Sequence, residues 1–200
     1  MDKRLYYIIS ILIAIGSIVL VLVRLDKRKT NVRRIVLISV MTALSIVSRF
    51  IFAAVPAFKP MAAIIILTGM YLGGEAGFMC GVLTAFLSNF YFGQGPWTPF
   101  QMLAFGTIGA AAAMLSSHLK KHRPLLALYG ITAGIFYSFF LDIWTMLWTY
   151  SGLSGEGYIA ALITAIPYTL MYAVSNVVFL LLLERPFGRR LGRIIFKYKI

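Results

Sequence analysis

Long apolar runs alternate with short polar breaks along this chain, at a spacing that matches the thickness of a bilayer. A hydrocarbon core takes about 20 apolar residues of helix to cross. The first run, Leu5 to Val23, carries no charge. The second reaches from about Arg34 to Val55 and is interrupted by Arg49 near its far end. Pro56 and Pro60 then bracket the loop Pro56-Ala57-Phe58-Lys59-Pro60, because proline removes a helix donor and restricts the residue before it. A third helix, Met61 to Leu72, turns at Gly73-Gly74-Glu75. Ala76 to Leu119 contains no Asp, Glu, Lys or Arg, which is room for two spans. The break between them is Gly93-Gln94-Gly95-Pro96-Trp97-Thr98-Pro99, whose paired glycines and prolines mark a turn. The sixth helix runs from about Leu125 to Tyr150 and contains Asp142. The loop Ser151 to Gly157 leads to the last, Tyr158 to Leu183. The pattern predicts an all-α integral membrane protein with one leading transmembrane helix (residues 1–30 with its basic linker) and a six-helix core (residues 31–200).

Charge supports this reading. Only 12% of residues are charged and 60% are hydrophobic, where soluble domains carry about 25% charge. The net charge of +13 would suit nucleic acid, but its distribution does not. Arg24, Lys27, Arg28, Lys29, Arg33 and Arg34 form one cluster, and Lys120, Lys121 and Arg123 a second. Arg185, Arg189, Arg190, Arg193, Lys197 and Lys199 form the third. Basic clusters confined to alternate loops follow the positive-inside rule. They predict a multi-pass plasma-membrane protein with its N-terminus outside, its C-terminus cytoplasmic, and no nucleic-acid partner. Lys3 and Arg4 ahead of an apolar run resemble a signal peptide. The run ends in basic residues rather than a small-residue cleavage site, so it is expected to be retained.

Catalytic machinery is missing. The single cysteine, Cys80, permits no internal disulfide and no thiolate metal site. There is no G-x-x-x-x-G-K-[ST] phosphate loop. His118 and His122 adjoin a basic loop without a carboxylate, and no paired carboxylates occur. The expectation is a non-catalytic protein without a metal site or a covalently held cofactor.

The loops 56–60, 93–99 and 151–157 share the predicted outer face, so specialised chemistry concentrates there. Arg49 and Asp142 lie inside apolar segments, where an unpaired charge is costly. Two readings stay open: they pair with each other or Arg49 snorkels outward, or they belong to a ligand pocket. The segment Asn89 to Gln101 mixes amides, hydroxyls and aromatics, which is how a mostly apolar pocket gains a few orienting groups. Substrate-binding candidates are Arg49, Phe58, Lys59, Asn89, Tyr91, Gln94, Trp97, Thr98, Gln101, Asp142, Trp148 and Tyr168. Tyr172 and Asn176 read as packing or interface belt. Gly69, Gly73, Gly77 and Gly81, with Gly130/Gly134 and Gly106/Ala110, place small residues four apart, a helix-packing signal.

Six hydrophobic helices with basic cytoplasmic ends and short outer loops, Asn31 to Phe196, resemble the substrate-binding S component of energy-coupling factor (ECF) vitamin transporters. The resemblance implies a vitamin pocket capped by outer loops one and three and lined by the last three helices. It also implies that the subunit topples in the membrane against a transmembrane T scaffold driven by two cytoplasmic ATPases. Small residues on the first core helix would dock that scaffold, and Ser39 and Ala43 are the nearest match, with Val47 departing from the pattern. Gly93 to Met102 resembles the subset associated with cobalamin uptake, which makes a corrinoid the expected cargo. Riboflavin, a queuosine precursor or another vitamin is the alternative. A lipid-modifying enzyme would need clustered acids that are absent, and an assembly subunit without ligand would not need such loops.

Overall fold

The structure is a computed structural model and describes residues 32–149 and 154–198, with Ile8, Leu12, Ile15, Gly16 and Val19 ahead of them. Those five positions are helical. The rest of the predicted leading helix, the basic linker after it, and positions 150–153 lie outside the described residues.

Seven helices follow: α1 (Val32–Ile51), α2 (Met61–Leu72), α3 (Gly74–Phe92), α4 (Thr98–Met114), the short α5 (Ser116–Leu119), α6 (Arg123–Thr149) and α7 (Gly155–Tyr198). Every regular element among the described residues is helical. By length and composition α1, α6 and α7 can each cross a membrane.

One helix keeps its expected bounds but proves to be central, and another runs further than expected. The 12 residues of α2 rise only about 18 Å, short of a hydrocarbon core of about 30 Å. Its sequence is apolar all round, and a helix of that kind is buried on every side. Ala63, Ile65, Ile66, Leu67 and Thr68 have no exposed surface, and α1, α3, α4 and α7 surround them. Thus α2, with the bounds the sequence predicts, is the centre of the bundle. The last helix does not end near Leu183. It continues as helix through Pro186 to Tyr198, so most of the basic C-terminal segment is helical. Packing explains the continuation: Leu191 is buried, the Tyr71 hydroxyl donates to Glu184 at 2.9 Å, and Gly188 lies against the Tyr71 ring.

The glycine spacing becomes a seam. Gly69 on α2 and Gly77 on α3 both face Gly109 on α4 so closely that a Cβ on either would strike the Gly109 carbonyl. Gly73, with φ +94°, makes the α2–α3 turn in a conformation L-residues rarely adopt.

Arg33, Arg34, Lys120 and Arg123 gather at one end of the bundle. Arg34 donates to the Leu72 carbonyl at 3.0 Å and lies 3.9 Å from Glu75. The Lys120 ammonium sits 4.4 Å from the Tyr71 ring centre, Arg123 donates to the Leu181 carbonyl, and Arg33 to the Tyr198 carbonyl. The opposite end carries the aromatic loops and a cavity.

Candidate ligand-binding site

The cavity lies at the aromatic end, where α1 finishes and α2 begins. It holds an empty space of about 620 Å³ including its mouth. Arg49 of α1 enters it, with Ala57 and Lys59 of the first loop and Met61 and Ala62 of α2. Gln101, Phe105 and Ile108 form one stripe of α4, and Ala133, Gly134 and Tyr137 one stripe of α6. Tyr172 and Asn176, one turn apart on α7, complete the wall. The lining is mostly apolar with a few convergent polar groups, the usual make-up of a small-molecule site.

A hydrogen-bonded chain of side chains braces it. Arg49 Nη1 donates to Ser88 Oγ and to Asn89 Oδ1 at 2.8 Å. Asn89 Nδ2 donates to Thr98 Oγ1 at 2.9 Å and to Gln101 Oε1 at 2.8 Å. Gln101 Nε2 reaches the Tyr137 hydroxyl at 3.2 Å. Asn89, 1% exposed, therefore uses both amide hydrogens and its oxygen, and reversing the amide would aim donors at a guanidinium. The chain links α1, α3, α4 and α6. Tyr137 stacks on Phe105 at 4.4 Å and meets Tyr172 edge-on at 4.9 Å.

The first loop is strapped down beside this chain. Ser175 of α7 accepts from the Lys59 backbone N–H at 2.9 Å and donates to the Lys59 carbonyl at 3.1 Å. Ala57 takes φ +58°, uncommon for a residue with a Cβ. Phe58 turns away from the cavity and packs between Phe52 and Phe179.

Of the twelve sequence candidates, Arg49, Lys59 and Gln101 line the cavity, while Asn89 and Thr98 brace it from behind. The other seven do not line it. Gln94 ties its loop to the Phe86 carbonyl, and Trp97 packs edge-on against Trp144 at 5.5 Å. Tyr91, Trp148 and Tyr168 are each more than half exposed, in keeping with an interfacial aromatic belt. Asp142 is buried with Oδ2 unbonded and does not pair with Arg49, which removes the mutual-pairing reading of these two charges.

Sequence reasoning passed over Tyr137 and set Tyr172 and Asn176 aside as packing. Their signal was periodicity. Gly130, Gly134 and Tyr137 share one face of α6, and Tyr172 and Asn176 share the facing stripe of α7, where Asn176 Nδ2 donates to the Gly130 carbonyl at 3.1 Å.

The family model described as ECF transporter, substrate-specific component, matches residues 33–187, the interval that holds every side chain of the cavity. No curated protein matches the chain, and no solved structure does. The match covers well over half the chain, so this protein belongs to the substrate-specific components of ECF transporters: it is a non-catalytic, substrate-binding subunit embedded in the membrane.

Proposed function

We propose that the chain captures a vitamin or related small molecule in the cavity at its aromatic end and presents it to a T scaffold powered by two ATPases. The observation that carries this reading is the cavity itself, bordered by a strapped loop and braced by a polar chain across four helices. The basic clusters at the opposite end support an outward-facing cavity, since positive charge is retained on the cytoplasmic side. In this reading the C-terminus is cytoplasmic and, with the predicted leading helix counted, the N-terminus is outside.

The exposed face of α1 suits scaffold docking. Val36, Val40, Leu44 and Val47 are all exposed, with the small Ser39 and Ala43 on the same side. An apolar face with small residues permits close sliding contact between helices in lipid. Ala43→Trp is expected to abolish copurification with the scaffold while leaving ligand binding intact. Undiminished copurification would reject this face.

Cobalamin is the cargo that Gly93 to Met102 suggests, and a smaller vitamin held by the cavity lining alone is the alternative. Of that stretch, Gln101 lines the cavity, whereas Gln94 and Trp97 lie off its lining. A binding panel that includes cobalamin, riboflavin and smaller vitamins decides between them. One-to-one binding of cobalamin alone would reinstate the corrinoid.

A further inference from the structure

Two cations enter the cavity, and no carboxylate lines it. Arg49 uses one guanidinium nitrogen, Nη1, for both Ser88 and Asn89. Its Nη2 and Nε meet no acceptor among the described residues, although a guanidinium offers five donors. Lys59 is held through its backbone by Ser175, and its ammonium forms no hydrogen bond or ion pair among the described residues. Both cations rest on one ring: Arg49 Cζ lies 4.4 Å from the centroid of Phe92 and Lys59 Nζ 5.3 Å from it. Burial, with the charge of Arg49 alongside, pushes the Lys59 ammonium below its ordinary pKa, the behaviour of a cation lacking a counter-charge.

Nearby acids do not neutralise the pair. Glu75 and Glu184 are engaged at the basic end, and Asp142 and Glu156 are not in the lining. Holding two like charges in a half-buried, mostly apolar space is expensive unless a partner offsets them. Arg49 and Lys59 both line this one cavity and share the Phe92 ring, and a guanidinium with unused donors beside an ammonium suits recognition of a carboxylate or phosphate.

Resting on the reading of this cavity as the capture site, we infer that its ligand is an anion whose carboxylate or phosphate is held between the Arg49 guanidinium and the Lys59 ammonium. Tyr137, Tyr172 and Phe105 then contact the apolar or planar body of the ligand. A neutral vitamin of the same shape would leave both cations unpaired and bind weakly.

The test uses the purified full-length chain in detergent at constant ionic strength. Melting temperature is followed against matched acids and neutral counterparts: nicotinate and nicotinamide, pantothenate and pantothenol, biotin and biotinamide, with inorganic phosphate and riboflavin added. At least one anion is expected to stabilise the chain saturably, with its neutral counterpart weaker by roughly tenfold or more. Lys59→Gln should weaken that anion roughly tenfold, Arg49→Gln more, and Arg49→Lys less than Arg49→Gln. Lys59 is tied by its backbone on a loop, so Lys59→Gln keeps the test open should Arg49→Gln fail to fold. Equal binding of acid and amide, binding unchanged in Lys59→Gln, or no shift with any anion at millimolar concentration overturns the inference. A neutral probe that binds in the cavity, and is excluded by Ala62→Phe, overturns the anion while leaving the capture site standing. Failure of the wild-type chain to copurify with a scaffold overturns the capture reading itself.

Discussion

Small residues do opposite work in two regions of this bundle. In the seam of α2, α3 and α4, Gly69, Gly77 and Gly109 remove side chains so that backbones touch. Around the cavity, Ala62 and Ala133 are short side chains whose brevity leaves space open. Helix α4 belongs to both regions: its Gly109 face closes the seam, and its Gln101, Phe105 and Ile108 stripe lines the cavity. Gly134 shares both tasks, for a Cβ there would approach the Ala173 backbone nitrogen to 2.7 Å while the residue also lines the wall. Whether a small residue closes or opens space depends on what faces it. In the seam the facing residue is another glycine; in the cavity it is an aromatic or a braced polar side chain that cannot collapse inward.

The polar chain explains why the cavity stays open. Arg49, Asn89, Gln101 and Tyr137 hold one another at fixed distances, and moving one inward would strand its partners in apolar surroundings. A buried donor or acceptor left unpaired costs about 1–3 kcal/mol. The seam needs no such brace, because close backbone contact and dispersion fix it.

This contrast can be broken at four places, taken from the largest effect to the smallest. Gly77→Val puts a branched side chain against the Gly109 carbonyl, where backbone rather than a flexible side chain must yield. A loss of about 3 kcal/mol or more is expected, read as collapse of the monodisperse peak after mild heating and size-exclusion chromatography. A wild-type melting curve would show that the seam is not close-packed. Asn89→Ala leaves the Arg49, Thr98 and Gln101 groups short of partners, at about 2–3 kcal/mol. It should also loosen ligand binding, because both Arg49 and Gln101 lose their brace. Melting and titration on one preparation separate these effects, and binding unchanged beside a lowered melting point would detach the brace from the site.

The remaining two lie outside both regions. Trp97→Ala removes an edge-on ring pair with Trp144, costing about 1 kcal/mol, with ligand affinity falling only severalfold. A loss of binding beyond a hundredfold would bring Trp97 into the site and favour a ligand that reaches the outer loops. Ala43→Trp, on an exposed face, should alter stability by less than about 0.5 kcal/mol despite the effect on docking expected of it. A large drop in melting temperature would mean that this face packs within the chain.

Helix order, the loop at Pro56 to Pro60 and the turn at Gly73 were legible because proline, glycine and run length act locally. The gathering of Arg33, Arg34, Lys120 and Arg123 at one end followed from their alternation between runs. The helical continuation past Leu183 was not legible, since Arg185 and Pro186 read as a stop and only the packing of Gly188 and Leu191 reverses that. Nor was the burial of α2: its length belongs equally to a short span and a core helix, and its neighbours decide. Arg49, Lys59 and Gln101 stood out as polar residues beside apolar runs. Tyr137 did not, because an aromatic within an apolar run carries no mark until its face is known. Trp97 stood out for its proline-rich company, yet that rigidity fixes the loop against Trp144 rather than aiming the ring at the cavity.

The most direct test is calorimetric titration of a vitamin panel, from small acids to cobalamin, into the purified wild-type chain and into Ala62→Phe, which fills the cavity from the α2 side. The expected result is saturable one-to-one binding of a panel member to the wild type, lost in a folded Ala62→Phe that still copurifies with its scaffold. Binding that survives the filled cavity would place the capture site elsewhere and contradict the assignment of this space.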